Sequence, residues 1–173
     1  QWNRPGPSGW PQMNLFHQPD LDAALERAAQ RLPNVRIRRG VAATGLDQDG
    51  DAVRLHLRHP DGREEVAASA YLIGTDGANS LVRQAAGITQ TDLGFEYDWL
   101  VVDVIPQERR AWSPYVLQRC DPARPATAVG SGPGRRRWEF MRLPGEAAED
   151  LAQPEMVWSL LADWGITPGN ATL

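Results

Sequence analysis

The chain has 173 residues, 42% hydrophobic and 23% charged, proportions that exclude wholesale disorder and suit one domain or two small lobes with a real core. Its formal net charge of −4 argues against non-specific binding to nucleic acid or to an anionic membrane. No run approaches a membrane span or a signal-peptide core, and with arginine as the only basic residue no Schiff-base lysine exists. One cysteine, Cys120, excludes an intrachain disulfide, fits a reducing cytoplasm and reads as a buried, inert thiol. His17, His56 and His59 lack metal-ligand spacing, so no metal site is expected.

Pro5, Gly6, Pro7, Gly9 and Pro11 predict a loop over 1–12. Pro19 and the apolar stripe Leu21, Leu25, Ala28 and Leu32 predict a helix over 20–32. Val35 and Ile37 alternate with arginines and predict a half-exposed strand. Residues 41–46 predict another strand, turned by Asp47-Gln48-Asp49-Gly50. Val53, Leu55 and Leu57 then alternate as a strand that ends at the His59-Pro60-Asp61-Gly62 turn. Together these form a small antiparallel meander, with His56 and His59 solvated beside the turn.

Residues 70–83 read AYLIGTDGANSLVR. Tyr71-Leu72-Ile73 predicts a buried strand, 74–79 a turn, and Ser80 an N-cap for a short helix over 80–86. A strand feeding a glycine turn and a helix start offers backbone N–H groups to a phosphate or ribose. Asp76 suits a sugar hydroxyl, Gly77 permits close backbone approach, and Arg83 offers a planar fork to a pyrophosphate. The alternative is an ordinary strand-turn-helix corner.

Beyond a boundary near 87–92 the character changes. Residues 99–104, 115–120, 127–130 and 137–143 predict four strands between Pro- and Gly-rich turns, followed by a helix over 154–164. Gly130-Ser131-Gly132-Pro133-Gly134 mimics a phosphate loop, but no helix starts after it, so it reads as a hairpin loop. Trp138 and Phe140 share one face of their strand. They are candidates, with Leu117 and Ala128, for the aromatic, apolar wall of a substrate pocket, or else plain core. Arg135 to Arg137 suit a substrate carboxylate or a solvated rim.

The 70–83 corner resembles the Asp-Gly motif of the FAD-dependent aromatic-ring hydroxylases, the single-component flavoprotein monooxygenases. FHQPDLDAAL (16–25) resembles their Gln-Pro helix start, and DLGFEYDWLVVDV (92–104) their strand into the substrate domain. CDPARPATAVGSGPGRRRWEFMRLPGE (120–146) is similar to the subgroup acting on 3-(3-hydroxyphenyl)propionate. The resemblance implies an α+β chain: residues 1–90 as part of an FAD domain, and 91–173 as part of a substrate-binding sheet domain. It implies FAD and NAD(P)H as cofactors, O₂ as oxidant and ortho-hydroxylation of a phenolic acid. Gln18, Asp76, Gly77, Ser80 and Arg83 fall at the cofactor, with Arg83 near the pyrophosphate or anchoring the turn. No side chain of the segment has to be a general base. The family's GxGxxG and its later Gly-Asp-Ala-x-His stretch are not in these residues, so the chain reads as an internal fragment, inactive alone and cut before the last strand such a sheet would want. The alternative is a self-contained, non-catalytic small-molecule binding module.

Overall fold

The computed structural model describes residues 4–173, and they divide into two compact units, one of residues 30–95 and one combining the residues before 30 with 96–173. The expected loop over 1–12 is described from residue 4, where turns and bends are closed by an isolated bridge between Pro5 and Pro11.

In the 30–95 unit, β1 (Ala42–Asp49), β2 (Ala52–Arg58) and β3 (Glu64–Ser69) form an antiparallel meander, of which β1 and β2 are expected strands and β3, after the second turn, is not. The first turn is tighter than expected, because 47–49 stay in β1 and the reversal falls on Gly50 and Asp51. Gly62, at φ +83°, closes the second turn, with His59 N–H donating to Arg63 O at 2.9 Å. Glu65 lies beside that turn, bound by both Nη atoms of Arg38 at 2.8 Å and by His59 Nε2 at 2.9 Å. His59 is thus partly buried in a charged cluster, not simply solvated. His56 pairs with Asp47 at 2.7 Å.

Two expected strands do not form. Residues 35–38 lie outside any strand, and so do 71–73, where Tyr71 and Ile73 are 88% and 84% exposed. An apolar run becomes a strand only where a neighbour takes its N–H and C=O groups. β3 ends at Ser69 and no described strand pairs beyond it. The corner ends in α2 (Leu81–Ala85), which packs on β1.

The other unit opens with α1 (Gln18–Gln30), shifted two residues N-terminal to the expected helix and ending before Pro33. Its stripe is not covered, since Leu21 and Leu25 stay exposed. The large sheet runs β5 (Val116–Arg119), β6 (Ala126–Gly130), β7 (Arg136–Met141), β4 (Trp99–Pro106) and β8 (Ala171–Thr172), antiparallel throughout. β8 is a correction: a short closing strand does return, pairing Ile105 with Thr172. A one-turn helix, α3 (Ala148–Leu151), also lies outside the expected elements. It precedes α4 (Pro154–Ala162), which starts on Pro154 as the sequence predicts.

After α4, Gly165 at φ +68° reverses the chain, and Ile166 N–H donates to Leu161 O at 3.3 Å. Val157, Leu161 and Ile166 thereby join Val102, Val104, Ala126, Ala128, Trp138 and Phe140 in one core. Trp138 is its centre, edge-to-face with Trp112 at 5.5 Å and with Trp164 at 6.1 Å. Among the described residues no helix is long and apolar enough to cross a membrane.

Candidate functional site

The Asp-Gly corner is tied from within. Asp76 Oδ1 accepts the Ser80 hydroxyl at 2.5 Å and Oδ2 accepts the Val82 N–H at 3.2 Å. Ser80 Oγ in turn caps the helix, accepting from Arg83 N–H at 2.9 Å. The hydrogen bond from Ser80, followed by backbone N–H groups, holds the Asp76 carboxyl below its usual range. The N–H groups of Val82 and Arg83 are therefore spent on the corner, against the expectation that they lie open to a phosphate. Arg83 faces no carboxylate; its Nη atoms reach the carbonyls of Ile88 and Ala78 at 3.4 Å, so it anchors the turn.

Two glycines shape the corner differently. Gly77 sits at φ +78° with nothing within 4 Å of where a Cβ would stand. Its backbone is thus open to a close-approaching ligand. Gly74 is a packing glycine: a Cβ there would lie 2.6 Å from Val82 Cβ. The sequence marks Gly74 as a turn former, but only the approach of α2 shows why it has no side chain.

Gln18 is exposed at the first position of α1. The residue before it, His17, abuts the hairpin loop, where a Cβ on Gly132 would lie 2.9 Å from the His17 backbone nitrogen. The GSGPG stretch is therefore a hairpin loop, as read, between β6 and β7.

The pocket-wall expectation is corrected. Trp138 and Ala128 are 0% exposed and Phe140 2%, and Leu117 packs against the same core. Alternation is right, but it does not say which face the helices cover, and α4 covers this one. The opposite face carries Val101, Asp103, Thr127, Val129, Glu139 and Met141, none of them buried. Arg136 shares the parity of Trp138, so it lies inside, while Arg137 points the other way and binds Asp103. Cys120 is also corrected: it is exposed, just past β5, whose last residues Gln118 and Arg119 are exposed as well. Among the described residues no group of three His, Cys, Asp or Glu side chains is placed to hold a metal.

A family profile described as FAD binding domain matches residues 5–164. The chain belongs to the FAD binding domain family. Similar curated members are named as aromatic hydroxylases. The probable NADH-specific resorcinol 4-hydroxylase of Rhodococcus jostii is 35% identical over 174 residues, 100% of this chain and 33% of that protein. The 3-(3-hydroxy-phenyl)propionate/3-hydroxycinnamic acid hydroxylase of Escherichia coli K12 is 33% identical over 165 residues, 95% of this chain and 29% of that protein. The chain thus spans about a third of the length of the curated relatives it matches. The p-nitrophenol 4-monooxygenase PnpA of Pseudomonas putida shares the fold, with TM-score 0.76 and 21% identity over 91% of this chain and 40% of that one.

The corner fits the cofactor of the FAD binding domain family at one point in particular. The open, left-handed Gly77 leaves room for a group to approach the backbone, while the exposed Asp76 bonds to the buried Ser80 and holds that backbone in place.

Proposed function

We propose that this segment supplies part of the cofactor cradle and one wall of the substrate pocket in an FAD- and NAD(P)H-dependent monooxygenase that hydroxylates a phenol ortho to its hydroxyl. The observation that carries the reading is the one-sided sheet: α4 closes one face, and the other is left with mixed apolar and polar side chains. In a family of FAD binding domains, such a face suits an aromatic ring. Both relatives' names specify phenols with a meta substituent. 3-(3-Hydroxyphenyl)propionate is accordingly the candidate substrate.

FAD, when bound and reduced by a nicotinamide nucleotide, supplies the oxygen-transfer chemistry. This chain's residues position and shield. Gly77 admits the cofactor to the corner backbone, Asp76 and Ser80 keep that corner rigid, and Arg83 ties 78 to 88. Gln18, exposed at the start of α1, offers an amide to the cofactor. Val101, Thr127, Val129 and Met141 face the ring and exclude water. No side chain here acts as general base, and the 173-residue segment alone is inactive. The full-length protein acts in the cytoplasm on small molecules, without nucleic acid or membrane.

The test is the visible spectrum of the purified full-length gene product, followed by NADH addition in air with and without the candidate acid. A flavin spectrum and acid-stimulated NADH oxidation support the reading. A flavin spectrum without stimulation discards the substrate. A colourless protein that does not take up added FAD overturns the enzyme in favour of a small-molecule binding module.

A further inference from the structure

The register of the large sheet sets which side chains share its open face, because directly paired residues of antiparallel strands point the same way. Glu139, in the middle of β7, therefore stands between Val101 of β4 and Thr127 of β6. Cross-strand neighbours of this kind lie about 5 Å apart at their Cβ atoms. Along β7 itself, Arg137 and Met141 flank Glu139 on the same face.

Three charged side chains meet here, and two of them bind each other. Arg137 donates to Asp103 from Nε at 2.9 Å and from Nη2 at 2.8 Å, and holds that carboxyl below its usual range. Glu139 is left over. Among the described residues it makes no hydrogen bond or ion pair, and it favours the charged form of Arg137 only through space. The Thr127 hydroxyl beside it has no partner among the described residues either. Other unpaired charges of this unit, Arg109 and Arg110 at the cleft of about 580 Å³ beside the hairpin loop, are exposed. Glu139 and Thr127 are instead half-buried. A ring laid on this face would take water from both, and a buried polar group needs a partner.

We propose that Glu139 accepts the hydroxyl proton of a phenol seated on this face in a hydrogen bond, while the Thr127 hydroxyl donates to the phenol oxygen. The inference rests on the proposed hydroxylase reading and adds to it the groups that fix the hydroxyl, and with it the ring carbons that stand ortho to it. A carboxyl is far more acidic than a phenol, so the proton stays on the ring oxygen. The bond orients the substrate and requires no general base.

The test uses the full-length protein with FAD present and equilibrium dialysis with two probes, 3-(3-hydroxyphenyl)propionate and 3-(3-fluorophenyl)propionate. Fluorine keeps roughly the size of the hydroxyl but has no proton to donate. The parent should bind the hydroxyl acid about tenfold more tightly than the fluoro acid, the scale of a charge-assisted hydrogen bond. Glu139→Gln, which keeps the shape and loses the charge, should narrow that gap about fivefold, mainly by weakening the hydroxyl acid. Thr127→Val, a second variant of the same face, should narrow it about threefold. A gap unchanged by the substitutions, an equal loss for both acids, a parent that binds the two alike or a parent that binds neither overturns the inference. The two readings fail separately. A coloured protein whose NADH oxidation the hydroxyl acid stimulates, but whose gap ignores Glu139→Gln, loses the role of Glu139 alone. A colourless protein that takes up no FAD yet shows the Glu139-dependent gap loses the hydroxylase alone.

Discussion

Ser80 stands between Asp76 and Arg83, donating its hydroxyl to the Asp76 carboxylate at 2.5 Å and accepting the Arg83 backbone N–H at 2.9 Å. The Asp-Gly pair is thereby locked to a helix of only five residues, too short to hold itself together. Ser80→Ala should cost about 1 kcal/mol, the usual loss of a cap. Asp76→Ala should lower FAD retention in the full-length protein far more than it lowers the melting temperature, because Gly77 loses its fixed backbone. Flavin release on dialysis, compared with thermal unfolding, checks both. Equal flavin retention in the Asp76 variant and its parent would remove Asp76 from the cofactor site.

Gly74 and Val82 form a contact that leaves no room for a methyl group. Gly74→Ala should destabilise by about 1–3 kcal/mol, the range for overpacking. Adding Val82→Ala should recover little of that loss, because alanine keeps the Cβ that the new methyl group meets, whereas Val82→Gly removes it. Denaturant titration of the single and double variants measures the coupling.

The two faces of the large sheet should answer differently to substitution. Trp138→Ala empties the centre of the core and should cost about 3–5 kcal/mol. Val101→Gln, on the open face, should change stability by less than about 0.5 kcal/mol while raising the phenolic substrate's dissociation constant about threefold or more. Chemical unfolding and substrate titration of both variants separate core from wall. An unchanged dissociation constant in Val101→Gln counts against the open face as the pocket wall.

Acid should unfold the protein partly through two glutamates. Arg38, with His59 and Arg63, holds the Glu65 carboxyl down to about 2 from an ordinary 4.5. Arg124 and the Leu143 N–H do the same for Glu146. Each folded-state value lies below the unfolded one, so the stabilisation is complete above the ordinary value and is lost as pH falls toward 2. Melting temperature followed from about pH 6 to pH 3 should fall along this limb. Glu146→Gln should be less stable at neutral pH and show a shallower fall.

Much of this was legible in one dimension. The meander, the hairpin loop at 130–134, the Ser80 cap and the Pro154 helix start each rest on signals carried by a few adjacent residues. Tyr71 to Ile73 forms no strand because an apolar run states a preference for burial but cannot supply the strand beside it. Arg136 was within reach of the sequence, since it has the parity of Trp138 and Phe140. Three consecutive arginines suggest solvent, which hides that parity. The Arg109-Arg110-x-Trp112 loop has no period to read, and its partners come from another strand and another loop.

Adjacent residues set the local chemistry: which residues turn, which cap, which alternate, and the membership in a flavin-binding family that follows from them. Tertiary structure alone decided what those patterns face. Alternation separates two sides of a strand but leaves them equivalent until α4 lies down on one, making Trp138 core and leaving Val101 and Glu139 uncovered. Likewise, the net charge of −4 gives no sign of a cationic cleft, because a sum over the chain loses the positions that place Arg109, Arg110 and Arg135 around one cavity.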